Sequence, residues 1–181
     1  MQVVDLSSLI SVETEEGEVQ KYLSSFCCSK NEEVESFLHN RAIDAEKRDF
    51  ARTSLVIDDQ TDTNEIIGYF TVTVKPFHFS EDISKSTKQK LSGSKNSENF
   101  TTTLIAQLGR SDPYKGQVSG KEILELALHR CKEIKQLTGL RIVCVEYEDV
   151  QPLRDFYEEN GFYFLQTNQN NNLRLSFVRL S

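Results

Sequence analysis

Apolar residues recur along this chain with two different periods, and each switch of period marks an element. Gln2 to Leu6 predicts a short strand. Ser29 followed by Glu32 has the spacing of a capping box, and Val34, Phe37, Leu38, Ala42 and Ala45 line one face of a helix reaching about Arg48. Thr53–Asp58 and Glu65–Phe77 predict two strands joined by the turn-like DDQTDTN. Phe100–Leu108 is a further strand, followed by a polar loop. Behind it, Ile123, Leu124, Ala127, Leu128, Cys131 and Ile134 fall at the three- and four-residue spacing of a buried helical face. Leu140–Tyr147 holds the run IVCV, which suits a strand covered on both faces. Asp149 is placed to cap the next helix, Pro152 is tolerated in its first turn, and Gly161 can end it. Phe162–Gln166 and Leu173–Arg179 predict a closing strand pair around TNQNNN.

The order predicts an α/β fold with a strand–loop–helix–strand unit at its centre, and a single domain over residues 1–181. In open sheets of that kind, ligands bind beyond the strand ends. Residues 80–99 are rich in Ser and Lys and poor in apolar material. They predict a mobile excursion with, at most, a short helix near Ile83–Leu91.

Composition narrows the class of partner. With 28 acidic against 21 basic residues the net charge is −7, which disfavours a broad electrostatic footprint for nucleic acid and leaves room only for a local basic patch. No apolar run approaches a membrane span, and the N-terminus lacks the basic-then-apolar order of a secretory signal. Cys27, Cys28, Cys131 and Cys144 show no metal-binding spacing, so the expectation is a cytoplasmic protein with reduced thiols and no metal. Cys144 reads as core and Cys27–Cys28 as packing. His39 and His129 read as solvent-exposed helix positions, His78 as surface or as a border of the acceptor site, and the stretch ETEEGE as solvated.

The candidate chemistry lies in LGRSDPYKGQVSG, Leu108 to Gly120, at the mouth of the long helix. The first amides of a helix have no internal partner and carry partial positive charge. Gly116 and Gly120 permit close backbone approach, and Lys115 supplies a full charge, so an anion could sit there. An ordinary loop capped by Ser119 explains the same residues.

This stretch resembles the acetyl-CoA-binding signature of the GNAT superfamily of N-acetyltransferases. Leu108, Tyr114, Gly116 and Gly120 fall on family positions and Lys115 replaces the common Arg or Gln. Val118 stands where the family has glycine, and Arg110 where it has an apolar residue. Independently, PLRDFYEENGF is similar to the family's late helix, in which a tyrosine precedes Gly-Phe by four residues, here Tyr157 before Gly161–Phe162. Together the matches span about Thr53 to Leu180. The N-terminal VESFLHNRAIDAEKRDFARTSLVIDD, followed by IIGYFTV, is similar to a branch that includes toxins acetylating aminoacyl-tRNA.

The resemblance implies a GNAT fold, with a central mixed, twisted sheet flanked by helices, and acetyl-CoA as co-substrate. It implies that the pantetheine arm pairs with Leu108, Gly109 and Arg110. The pyrophosphate would then lie on the amides of Lys115, Gly116, Gln117, Val118, Ser119, Gly120 and Lys121. Tyr157 is implied as the acid that protonates the departing thiolate; its alternative is an aromatic packed at the helix end. Glu146 could draw the amine proton through water or be a plain strand-end charge. Gln107, where the toxin-like branch often carries Arg, could orient substrate.

The expected activity is acetyl transfer to a primary amine of a small molecule or peptide, with a homodimer allowed and no membrane contact. Two alternatives stand beside it: acetylation of aminoacyl-tRNA, and a non-catalytic module that binds acyl-CoA.

Overall fold

The computed structural model describes residues 1–15 and 17–181. Seven strands lie in the order β1-β2-β3-β4-β5-β7-β6, with β1 Gln2–Asp5, β2 Arg52–Ile57, β3 Ile66–His78, β4 Asn99–Arg110, β5 Ile142–Tyr147, β6 Tyr163–Thr167 and β7 Arg174–Arg179. The helices are α1 Leu6–Val12, α2 Glu18–Leu23, α3 Glu32–Asn40, α4 Ala42–Lys47, α5 Lys85–Ser92, α6 Gly120–Thr138 and α7 Gln151–Glu159. The chain gathers into two compact units, Met1–Thr73 with Ala106–Ala127 and Val74–Ile105 with Leu128–Ser181.

In the first unit β1 pairs antiparallel with β2, and β2 with β3. A core of Leu6, Leu23, Phe26, Leu38, Ala42, Leu55 and Tyr69 is sealed from water beneath α1 to α4. Tyr69 anchors it: its hydroxyl donates to the Val34 carbonyl at 2.6 Å, and its ring meets Phe26 edge-on at 5.2 Å. Gly109 is needed here for a steric reason. A Cβ at this position would lie 2.5 Å from Val34 Cγ1 and 3.1 Å from Phe26 Cζ, so only glycine lets α3 settle on β4.

In the second unit β4 and β5 form a parallel ladder over Thr103–Val143, Leu104–Cys144 and Ile105–Val145. β7 lies antiparallel to β5, and β6 pairs with the far side of β7. The IVCV run is buried throughout, as expected of a strand covered on both faces. Burial pushes the Cys131 and Cys144 thiols up to about 12, which fits core residues and not nucleophiles.

Several expectations are corrected. Helices α1 and α2 were not anticipated; they form where Leu6, Val19 and Leu23 become buried. The long helix expected to reach Arg48 is two, interrupted at Arg41. Its cap is Asn31, whose side chain accepts from the Val34 amide at 3.2 Å, and not Ser29. Asp149 does not cap α7, which starts after Val150 without a side-chain cap; its carboxylate pairs with Arg154 at 2.6 Å instead. His39 is not simply solvated, since its Nε2 lies 2.8 Å from the Phe26 carbonyl. Within the acidic stretch 13–18, position 16 lies outside the described residues. Glu13 accepts from the amides of Gly17 and Val19, while Glu15 and Glu18 are exposed.

The Ser/Lys-rich excursion holds the expected short helix, α5, capped by Ser84. It is tied at its ends: the Phe79 amide donates to the Glu98 carbonyl at 2.9 Å, and Phe79 stacks on Phe100 at 4.8 Å. Leu91 is buried beneath it.

Candidate active site

The parallel ladder of the second unit ends at Ile105, and β4 runs on through the first unit to Arg110 as strand. Leu108, Gly109 and Arg110 therefore lie on the segment beyond it. A turn at Asp112–Tyr114 follows, and then the loop Lys115–Ser119, exposed except at the half-buried Val118. The turn is anchored on both sides. The Tyr114 hydroxyl lies 3.1 Å from both Asp58 and Glu65, and Asp112 accepts from the Ser29 amide at 2.9 Å. Gly116 adopts φ +85°, a left-handed conformation, and a Cβ there would meet open space, so the requirement for glycine is conformational.

The mouth of α6 is partly satisfied from within. Ser119 and Glu122 form a capping box: the Ser119 hydroxyl accepts from the Glu122 amide at 3.2 Å. One Glu122 oxygen in turn accepts from the Ser119 amide at 2.7 Å and its hydroxyl at 2.9 Å. Those bonds, backbone first, hold the Glu122 carboxyl below its ordinary range. The Gln117 and Val118 amides both turn back to the Tyr114 carbonyl, at 3.1 and 3.0 Å. The capped helix start is thus observed, and Gly116 supplies the left-handed turn that leads into it. The serine-to-glutamate spacing was visible in the sequence; the occupancy of the mouth by Glu122 was missed.

Arg110 is the second residue whose side chain the sequence did not place. Its Nη1 donates to the Val118 carbonyl at 3.0 Å, joining the strand end to the loop. Its Nε is buried with no hydrogen-bond partner among the described residues. Gln107 donates weakly to Glu33 of α3, at 3.4 Å, and Glu33 also lies 3.8 Å from Arg41. Gln107 thus sits among polar groups of the N-terminal helices.

In the second unit Tyr157 is buried on α7. Its ring packs against Tyr147 at 4.6 Å, Phe156 at 5.1 Å and Phe162 at 5.5 Å. Burial, with a smaller contribution from Tyr147, raises its pKa well above the ordinary tyrosine value, so the phenol keeps its proton at neutral pH. Gly161 follows with φ +82° and turns the chain into β6.

Glu146 is fully engaged. Oε2 accepts from Lys75 Nζ at 2.7 Å, and Oε1 from Asn168 at 2.7 Å and Asn171 at 3.2 Å. The carboxylate braces the β6–β7 turn against β3 and β5. Neither Lys75 nor the asparagines was anticipated, because they lie far away in sequence and carry no spacing signal. Among the described residues, no group of His, Cys, Asp and Glu could hold a metal. None of their helices is long and apolar enough to cross a membrane.

No family profile and no curated protein matches the chain. Solved structures do. AtaT complexed with acetyl-methionyl-tRNAfMet is 18% identical, with a TM-score of 0.74, over 98% of this chain and 94% of that one. A point mutant of the KacT protein is 17% identical, with a TM-score of 0.73, over 98% and 94%. AtaTR bound with AcCoA is 19% identical, with a TM-score of 0.71, over 98% and 92%.

This chain has the GNAT fold. The likeness spans nearly the whole chain, so the GNAT fold includes the N-terminal helices as well as the glycine loop and α7. The resemblance drawn from Leu108–Gly120, Pro152–Phe162 and the N-terminal stretch from Val34 is matched by a fold likeness over 98% of the chain.

Proposed function

We propose that this protein is an acetyl-CoA-dependent N-acetyltransferase whose acceptor is the amino group of an aminoacyl-tRNA. The observation that carries the reading is the likeness, over 98% of the chain, to AtaT complexed with acetyl-methionyl-tRNAfMet. AtaTR bound with AcCoA supports the donor. This favours the tRNA alternative over the small-molecule or peptide amine expected from the sequence.

The chain's own groups fit the donor. Gly116, open above its backbone, and the start of α6 offer a cradle for a pyrophosphate, and Lys115 and Lys121 add exposed charge. Beyond the ladder, β4 at Leu108–Arg110 offers backbone groups to a pantetheine arm. When bound, acetyl-CoA supplies an acetyl thioester, whose transfer to an amine leaves a thiolate to be protonated. Tyr157 holds a proton at neutral pH for that purpose, and a neutral phenol is a suitable donor to a thiolate. Gln107, beside Glu33, serves to orient the acceptor. Glu146, held by Lys75 and two asparagines, acts as a brace and not as the base.

The test mixes the protein with labelled acetyl-CoA and total charged tRNA, in parallel with polyamines, amino acids and peptides. Label entering the aminoacyl group of tRNA is expected. Label appearing on free amines alone restores the small-amine reading, and CoA binding without transfer to any amine indicates a non-catalytic module.

A further inference from the structure

We infer that the Arg110 side chain is a pyrophosphate-recognition group, a cation set beneath the loop that lacks its usual glycine at Val118. The inference rests on the acetyl-CoA reading and names the residue that this chain uses for the anionic part of the donor.

Three observations meet at this residue. Arg110 Nη1 donates to the Val118 carbonyl at 3.0 Å, so the guanidinium is tied to the middle of the loop. Its Nε is buried and has no hydrogen-bond partner among the described residues. Among the described residues no carboxylate pairs with it, and the acids of the turn and of the helix start are committed elsewhere: Asp112 to Ser29, and Glu122 to Ser119. The result is a partly desolvated cation, tethered to a neutral carbonyl, with an N–H left over.

Side-chain direction agrees. Successive residues of a strand point to opposite faces. Gly109 faces Val34 and Phe26, so Arg110 projects to the other face of β4. On that face lies α6, since a Cβ on Gly68 would meet Ile123 at 3.1 Å. The helix whose first turn follows the loop and the guanidinium that holds the loop are therefore on one side of the strand.

A partly desolvated guanidinium without a counter-ion is unfavourable, and an anion compensates it. The planar fork also suits phosphate oxygens geometrically. The two departures from the GNAT pattern, Arg110 for an apolar residue and Val118 for glycine, are then one adaptation. Valine restricts how closely a phosphate can approach the loop backbone, and the arginine below supplies charge-assisted recognition in its place.

The test is calorimetric binding of CoA and a chemical-shift titration with pantetheine, which lacks the pyrophosphate. Both are done on the full chain and on Arg110→Met and Arg110→Gln, with thermal melts of the ligand-free proteins. Each variant should bind CoA about ten- to a hundredfold more weakly, the range for losing a charged hydrogen bond. Pantetheine binding should change by less than about twofold on the same scale. Ligand-free Arg110→Met should melt at or above the parent temperature, because an uncompensated cation has been removed. CoA affinity unchanged in whichever variant folds overturns the inference. So do equal losses for CoA and pantetheine, which would mark a collapsed site. If the parent chain itself takes up no CoA, the acetyl-CoA reading fails and the inference fails with it.

Discussion

Glu122 occupies with its own carboxylate the place where Ser119 opens the long helix, accepting from that residue's amide at 2.7 Å and its hydroxyl at 2.9 Å. A negative side chain at a helix start is stabilising by itself, but it sits where a pyrophosphate is proposed to bind. The charge and the cap can be separated. Glu122→Gln keeps the shape of the capping box and removes the repulsion. CoA affinity measured by calorimetry should rise about two- to fivefold, the size of a helix-terminus charge effect. Weaker binding instead would mean that the ionised carboxylate orders the loop for its ligand.

The same pairing sets an acid response. Hydrogen bonds from Ser119 lower the Glu122 pKa in the folded chain. A lowered folded value means that the stabilisation is complete above the unfolded value, about 4.3, and disappears as pH falls through the folded one. Glu122→Gln should therefore flatten part of the acid limb in melting experiments below about pH 4.5, and leave the curve at neutral pH nearly parallel.

The alkaline side has a different origin. Burial raises the Cys131 and Cys144 thiols from the ordinary 9.0 to about 12. The unfolded chain then loses these protons first, so their contribution to stability is complete below about pH 9 and is lost between about 9 and 12. Each thiol adds a slope of about 1.4 kcal/mol per pH unit in that window. Chemical denaturation of Cys144→Ala should show a lower plateau at pH 7 and a shallower decline above pH 9. An unchanged slope would place the thiol in contact with water.

Gly109 tests the packing of the N-terminal helices on β4. Gly109→Ala places a Cβ 2.5 Å from Val34 Cγ1, 3.1 Å from Phe26 Cζ and 3.2 Å from Tyr69 Cε1. Overpacking of this kind costs about 1–3 kcal/mol. Adding Val34→Ala removes the closest clash, and the double variant should recover part of the loss in a denaturant titration. A single variant as stable as the parent would show that α3 can lift from the strand.

What the sequence made legible, and what it did not, has a physical pattern. Elements with their own periodicity were legible: β3, β4, α6 and the IVCV strand each carry enough apolar repeats to declare themselves. α1 was not, because LSSLISV is short, rich in serine and β-branched residues, and has no side-chain cap; it is helical because Leu6 has a core to enter. The break at Arg41 was hidden because Leu38, Ala42 and Ala45 continue the same spacing across it. In the candidate site, the loop and Tyr157 followed from local motifs. The occupation of Glu146 did not, since Lys75 is 71 residues away in the chain and its pairing is created only by the sheet.

The acceptor gives the most demanding prediction, because charge and fold point in opposite directions. A chain with 28 acidic and 21 basic residues repels a polyanion on average, whereas its fold likeness runs to AtaT complexed with acetyl-methionyl-tRNAfMet. Both can hold only if tRNA is engaged through a few localised cations. Such binding has a measurable signature: the logarithm of affinity falls linearly with that of salt concentration, with a slope of about −0.9 per phosphate neutralised on duplex nucleic acid. The expectation is a shallow slope of about −2 to −4, smaller than for a strongly basic binder, together with transfer of label to charged tRNA. Varying salt from about 50 to 200 mM at fixed acetyl-CoA, while following KM for charged tRNA, measures it. A KM that does not move with salt, with label appearing on polyamines or peptide N-termini, would return the acceptor to a small cationic amine drawn by the acidic surface.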